Sequence, residues 1–450
     1  MKKEKLVAAV LAAICAFTFA PAFDTGIEEM DLSRPVFAQE KDAANQEASL
    51  HSLPLVTSTH YLSDWDGSFE MLRSHWTEIS FYGNAKAPEQ KVAQALAGFS
   101  RLKSDDFGRT RKLMLADSKA DWSQRVKDGS PYYGPYWFTG DILVRRSDSA
   151  AVSLLEDKGI YAGGTHGSSE LAARNYDART GKELQLSDVF ANKYTLAEAI
   201  KKRLKEDYPD ASFMENGGAA ADEAVDRMIK EDSLVWTLEP YGVTFWFNPY
   251  RLGGTYAEGM FVTTLFYLES PELFKRNKGT DAFAWRALER YCMDIPLYTA
   301  VRLSGKPGEK LTVGRDNDGI QIEFRGEEYR NELELRNTDT RPTLVNCSDG
   351  RKYLYVDYEE PASKYSASCY KLYVYDLNGA SPRFVGVYPM TRLASPLKDT
   401  AKRSWYVMSD PEDFYMTATM ESDLVPGKRL RCRVGKDGAP EVYDVEGAKG

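Results

Sequence analysis

The sequence predicts an α+β fold in which helices pack on a largely antiparallel sheet, followed by a β-rich C-terminal domain. Three observations predict it. Helical and strand-like periods alternate between residues 56 and 270, as in Leu196, Ile200 and Leu204 at i, i+4 and i+8 beside the apolar run at 243–247. Beyond residue 293 the helical period vanishes, and short strands are punctuated by Asp318-Gly319, Asp349-Gly350, Asn378-Gly379 and Asp437-Gly438. A length of 450 residues with 43% hydrophobic and 28% charged residues suits two or three globular domains and excludes a disordered or fibrous chain.

Taken in order, residues 1–22 read as a signal peptide, with Lys2, Lys3 and Lys5 ahead of an apolar run at 6–20. Cleavage after Ala38 is the alternative, and a retained anchor is disfavoured because fifteen apolar residues are short for a bilayer. Residues 23–55 form a polar, flexible leader. The module at 56–270 opens with short strands at 69–72 and 76–81. Pro88 then starts a helix with Val92, Leu96 and Phe99 on one face, and a further helical pattern covers 104–126. Gly129, Pro131, Gly134 and Pro135 break the chain. A strand-like stretch at 142–155 is followed by an Asp157-Lys158-Gly159 turn, a strand at 171–176 and a turn at 177–181. The Leu196 helix, a helix at 221–229 and strands at 233–238, 243–247 and 260–266 complete the module. Residues 271–292 are a connecting segment with a helix at 282–291. The β-rich domain spans 293–450, with Ile320, Ile322 and Phe324, then Tyr353, Tyr355, Leu372 and Val374, at strand spacing.

Charge and composition narrow the function. Removing residues 1–22 takes away three lysines and one glutamate, so the net charge of −9 moves by two to −11. An acidic exported protein is a poor nucleic-acid binder, and no such partner is expected. Four histidines in the whole chain argue against a multi-histidine metal enzyme, and neither a metal nor a cofactor is expected. No later run reaches 18 apolar residues, so no transmembrane segment should remain after cleavage, and the location is extracytoplasmic, periplasmic or secreted. Export permits disulfides. Cys292, Cys347, Cys369 and Cys432 allow three connectivities, of which Cys347–Cys369 with Cys292–Cys432 is preferred; free buried thiols are the alternative.

The segment YAGGTHG at 161–167, followed by NYDARTGKELQLSDVF at 175–190 and FWFNPYRLGGTYAEG at 245–259, resembles the extracellular domain of RsiV-type anti-sigma factors. The same module looks like the non-catalytic domain of some peptidoglycan deacetylases. HYLSDWDGSFEMLRSHWTEISF at 60–81 and ALAGF at 95–99 resemble its N-terminal half, so the likeness covers roughly 55–270. It implies a bacterial cell-envelope binding module whose sensor version recognises lysozyme. The deacetylase's Thr-Phe-Asp-Asp-Gly-Pro metal segment is absent from this sequence, so no enzyme activity is expected.

Candidate ligand-binding or structural residues are Tyr161, Gly163, Gly164, His166, Gly167, Tyr256 and Glu258. His166 suits proton transfer and Glu258 would be its carboxylate partner, although a structural hydrogen bond is the simpler role because no nucleophile accompanies them. Tyr132, Tyr133, Tyr136, Trp137 and Phe138 form a candidate aromatic surface, with a lid over the core as the alternative. The sequence thus reads as an exported non-catalytic binding or envelope-associated protein recognising a protein such as lysozyme or a cell-wall glycan. A peptidoglycan- or polysaccharide-modifying hydrolase is the alternative.

Overall fold

Two long antiparallel strands, β1 (Leu55–Asp66) and β2 (Phe69–Phe81), open the fold in a computed structural model of the chain. The structure describes residues 50–82, 85–86, 89–131, 134–164, 166–254, 256–275, 289–306, 308–333, 340–360, 369–390, 409–417 and 429–445. The expected signal peptide, most of the leader, Tyr132, Tyr133 and residues 282–288 of the expected connecting helix lie outside them. The hairpin turns at Gly67, whose φ of 58° is left-handed and costs glycine little. The two short strands expected at 69–72 and 76–81 are one, because β2 lies between β1 and β3 and its polar middle stays in the ladder, with Ser74 buried.

The two expected helical stretches likewise fuse into α1 (Gln90–Asp128), which ends at Gly129 in the left-handed conformation with its N–H bonded to the Arg125 carbonyl. Val92, Leu96 and Phe99 pack on Ile79, Ile142 and Leu154 of the sheet. Ser100 and Ser118 add hydroxyl donors to the Ile79 and Met71 carbonyls, at 2.8 and 2.7 Å.

Strand β3 (Tyr136–Ser147) runs parallel to β2 and antiparallel to β4 (Ala151–Tyr161), and β5 (Ser168–Asp177) closes a five-stranded sheet in the order β1-β2-β3-β4-β5. The β3–β4 turn falls at 148–150, where Asp148 accepts from the Ala150 and Ala151 amides at 2.9 and 3.0 Å. Asp157-Lys158-Gly159 is therefore strand and not turn: Asp157 and Gly159 stand opposite Asp141 and Thr139.

After a turn at 177–181, α2 (Leu186–Val189), α3 (Lys193–Asp207) and α4 (Ala219–Lys230) lead to a three-stranded sheet of β6 (Val235–Leu238), β7 (Gly242–Phe247) and β8 (Phe261–Phe266). Leu196, Ile200 and Leu204 bury their common face against Phe245, Phe247 and Leu265. Every residue of β7 is buried, because Trp246 points away from those helices into a second core.

That second core joins the two halves of the chain. Leu143, Leu155, Trp246 and Val262 share it with Met293, Ile295, Val313, Ile320, Ile322 and Phe324, so residues on both sides of 271–292 build one interior. Residues 47–450 form one compact unit. The later strands are β9 (Tyr291–Asp294), β10 (Val301–Arg302), β11 (Lys310–Asp316), β12 (Gly319–Phe324), β13 (Glu327–Glu332), β14 (Thr340–Asn346), β15 (Lys352–Glu360), β16 (Cys369–Asp376), β17 (Arg383–Met390), β18 (Phe414–Thr417), β19 (Arg429–Val434) and β20 (Pro440–Val445). They form sheets β10-β11-β12-β13, β17-β16-β15-β14-β9 and β18-β19-β20. All four Asp-Gly or Asn-Gly pairs singled out in the sequence lie between paired antiparallel strands. The fold is α+β, as the sequence predicts.

A buried ion pair pins the junction. A bulge between Val144 and Arg146 lets the consecutive Arg145 and Arg146 both be buried. Arg145 donates to Glu239 at 2.9 Å and to the Asp294 carbonyl, while Asp294 accepts from the Val144 amide and the Thr343 hydroxyl, both at 2.9 Å.

The preferred disulfides are corrected here. Cys292, Cys347 and Cys432 are free thiols, and the Cys369 side chain lies outside the described residues. Cys292 on β9 and Cys432 on β19 belong to different sheets and pack as small apolar groups with Val345, Tyr353 and Phe414. Burial pushes the Cys432 thiol up to about 12 and the Cys347 thiol up to about 11.

Candidate functional site

The glycine-rich segment and the aromatic run, separate in the sequence, meet at one end of the first sheet. Tyr161 at the end of β4 is the register partner of Trp137 on β3, and their rings lie 6.2 Å apart at 19°. Tyr136 meets Tyr161 edge-on at 6.3 Å. The intervening loop is shaped around these rings. Gly163 has φ 84°, and a β-carbon there would stand 3.1 Å from the Tyr136 hydroxyl. A β-carbon at Gly159 or Gly167 would stand 2.7 or 2.8 Å from Trp137 ring carbons. Gly164, with φ 102°, accepts a hydrogen bond from the Tyr161 hydroxyl at 3.0 Å.

The expected aromatic surface divides. Tyr136 and Phe138 point toward α1, with Tyr136 buried against Leu72 and Met114 and the Phe138 ring 4.7 Å from that of Phe107, tilted by 32°. Trp137 points to the opposite face, as strand alternation requires. His166 is exposed, and its Nδ1 donates to the Gly167 carbonyl at 2.9 Å. Glu258, in the short turn Tyr256–Glu258, is held by Ser212: the Ser212 amide donates at 2.8 Å and its hydroxyl bonds the other carboxylate oxygen. Glu258 thus serves a loop-to-loop anchor. The Tyr256 side chain lies outside the described residues.

On the Trp137 face, β3 carries Trp137, Thr139 and Asp141, β4 carries Asp157, Gly159 and Tyr161, and β2 carries His75 and Thr77. His75 Nε2 lies 3.0 Å from Asp141 Oδ2, and Thr77 donates to Asp141 Oδ1 at 3.1 Å. Tyr61 on β1 brings its ring to 5.3 Å from that of His75. Asp157 stands directly opposite Asp141 in the antiparallel ladder, where facing residues bring their β-carbons roughly 5 Å apart. From across the junction, Arg315 of β11 and Arg341 of β14 interact electrostatically with Asp141.

The two carboxyls are driven in opposite directions. Burial alone would raise Asp141, but the imidazole of His75, then Arg341 and the Thr77 hydroxyl, outweigh it and hold the group below its ordinary value. Asp157 is pushed up to about 6, first by burial and then by the charge of Asp141, with His75 opposing in part. The face can therefore accept hydrogen bonds at Asp141 and donate one from Asp157 once the pH falls below about 6, beside two aromatic rings.

Sequence reasoning missed His75, Asp141 and Asp157. His75 lies in the 60–81 segment and Asp157 in an expected turn with nothing local to link them to Asp141, and the parallel pairing of β2 with β3 across α1 and the antiparallel pairing of β3 with β4 are what gather them. The available signal was the alternation Trp137-x-Thr139-x-Asp141, a polar and aromatic face on a strand whose other face is apolar. Among the described residues, no group of three or more His, Cys, Asp or Glu side chains is placed to hold a metal ion. No described helix is long and apolar enough to cross a membrane.

No protein-family model matches the chain, and no curated protein matches it. Among solved structures, it is similar to a DUF3298-family member from Bacteroides fragilis, with 15% identity and a TM-score of 0.41 over 52% of this chain and 98% of the other. It is also similar to a DUF3298-family protein from Pseudomonas aeruginosa PAO1, with 16% identity and a TM-score of 0.31 over 52% of this chain and 99% of the other.

Proposed function

We propose that the chain is an exported, non-catalytic binding protein of the cell envelope, and that it recognises a cell-wall glycan on the Trp137 face of the first sheet. One observation carries this reading: stacked Trp137 and Tyr161 share a strand-paired face with Asp141, Asp157 and His75. A sugar presents an apolar ring face to an aromatic side chain and hydroxyls to carboxylates, and this face offers both. A protein such as lysozyme calls for a wider contiguous patch, on the order of 800 Å² per partner. Export rests on Lys2, Lys3, Lys5 and the apolar run at 6–20. The test is co-sedimentation of the secreted chain with insoluble peptidoglycan, run beside capture on immobilised lysozyme. Wall binding lost in Trp137→Ala supports the reading, and capture by lysozyme alone, or by neither, overturns it.

A glycan hydrolase is the second reading, and the opposed behaviour of the neighbouring Asp141 and Asp157 carboxyls favours it, since acid and base roles need such a separation. Saturable release of soluble fragments from peptidoglycan, abolished in Asp157→Asn, would replace binding by catalysis. Absence of turnover at saturating enzyme removes this second reading.

A further inference from the structure

A polar cavity of about 220 Å³ lies at the outer edge of β5, walled by Ala173, Arg174 and Asn175, by residues 183–186 and by Asp232, Leu234 and Trp236. Its origin is a gap in the hydrogen bonding along the outer edge of β5. At Leu171 the edge is closed by Asn248, whose side chain accepts from the Leu171 amide at 2.7 Å and donates to its carbonyl at 3.0 Å. At the other end, the Leu184 amide donates to the Asn175 carbonyl and the Asp177 amide to the Lys182 carbonyl, forming the bridge between Tyr176 and Glu183. Continued in that register, the residue opposite Ala173 would be Leu186, but there the chain leaves the edge as the first residue of α2.

The N–H and C=O groups of Leu171, Asn175 and Asp177 named above point away from β4, and alternation gives Ala173 the same direction. Among the described residues neither outward backbone group of Ala173 has a hydrogen-bond partner, and Ala173 lines the cavity. A donor and an acceptor on one strand residue complement one thing best, an extended peptide residue whose own N–H and C=O offer the reverse pair; a single trans amide, whose N–H and C=O point opposite ways, reaches only one of them. The rim supplies charge of both signs: Arg174 is paired with Glu183 at 2.7 Å, and Asp232 faces it from the other wall. The Trp236 side chain is buried in the second wall, which Asn175 fixes to β5 by donating to the Trp236 carbonyl at 2.8 Å. The volume is below the roughly 300 Å³ of drug-sized sites, so it suits a two-residue stretch of peptide.

We propose that this cavity is a second ligand site that captures an extended peptide segment through the open edge of β5 at Ala173. The proposal does not rest on the glycan reading of the Trp137 face, because its residues are different ones and its ligand is a peptide. The test is a titration of the full chain, followed by amide NMR, with trialanine in one arm. N-acetylglucosamine disaccharide, whose single amides cannot bond both groups of Ala173, is the control.

Saturable shifts at Ala173, Asn175 and Leu184 with trialanine, and not with the disaccharide, are expected. Trialanine N-methylated at its central residue, which has lost that donor, should bind about three- to tenfold more weakly to the unaltered protein. Ala173→Pro removes the outward N–H without touching the β4 ladder, since an outward edge position tolerates proline, and should weaken binding by a similar factor. If that variant does not fold, the N-methyl comparison decides. No saturation by trialanine up to about 10 mM, equal binding of the disaccharide, or equal binding of the N-methylated peptide overturns the proposal.

Discussion

The indole of Trp137 rests on Gly167: a β-carbon at that position would stand 2.8 Å from ring carbon Cζ2 and 2.9 Å from the Ile160 carbonyl oxygen. One contact is with a ring stacked on its neighbour and the other with backbone, so neither yields cheaply. Gly167→Ala should cost about 1–3 kcal/mol through overpacking and change the tryptophan emission as the indole is displaced. Urea unfolding followed by fluorescence measures both. An unchanged midpoint and spectrum would show that the glycine does not seat the ring.

Asp157 makes stability depend on pH. Its folded value of about 6 lies above its ordinary 3.8, so the folded state holds this proton more tightly than the unfolded chain does. The stabilisation is complete below about pH 4 and lost as the pH rises through 6. Asp157→Asn should therefore gain on the order of 1–2 kcal/mol at pH 8 and nothing at pH 4, allowing for partial exposure of the group. Thermal melts at the two pH values check this, and a gain of equal size at both would contradict it.

The buried Arg145–Glu239 pair predicts an asymmetry between single and double replacement. Arg145→Leu strands a buried carboxylate and should cost about 3–5 kcal/mol, whereas Arg145→Leu with Glu239→Leu should recover much of that loss. Denaturant titrations of the unaltered protein and the two variants test it. A double variant no more stable than Arg145→Leu would mean that the pair is not the dominant interaction at this junction.

Cys292, Cys347 and Cys432 should resist a thiol reagent in the native protein and react once it is unfolded without reductant, because all three are buried and unbonded. Mass spectrometry of the alkylated chain counts the sites. Protection that persists in denaturant and disappears on reduction would restore the disulfides expected from export.

Local chemistry made some parts of this molecule readable and topology hid others. The turns at Gly319, Gly350, Gly379 and Gly438 were legible because each pairs glycine with Asp or Asn between alternating strands. The Leu196 helix was legible from one apolar face. Gly159 misled, since it looks like turn chemistry but is small to make room for Trp137. Glu258 was drawn to His166 by their shared likeness to one family, while in the fold it serves Ser212. His75 and Asp141 are 66 residues apart, and only the parallel β2–β3 pairing across the helix Gln90–Asp128 joins them, a relationship with no local signature.

The central claim is that the Trp137 face binds glycan, and calorimetric titration of the chain with soluble peptidoglycan fragments tests it most directly. The account predicts saturable binding that weakens about tenfold or more in Trp137→Ala and in Asp141→Asn, with both variants folded by circular dichroism. No heat of binding, or affinities unchanged in both variants, would contradict it.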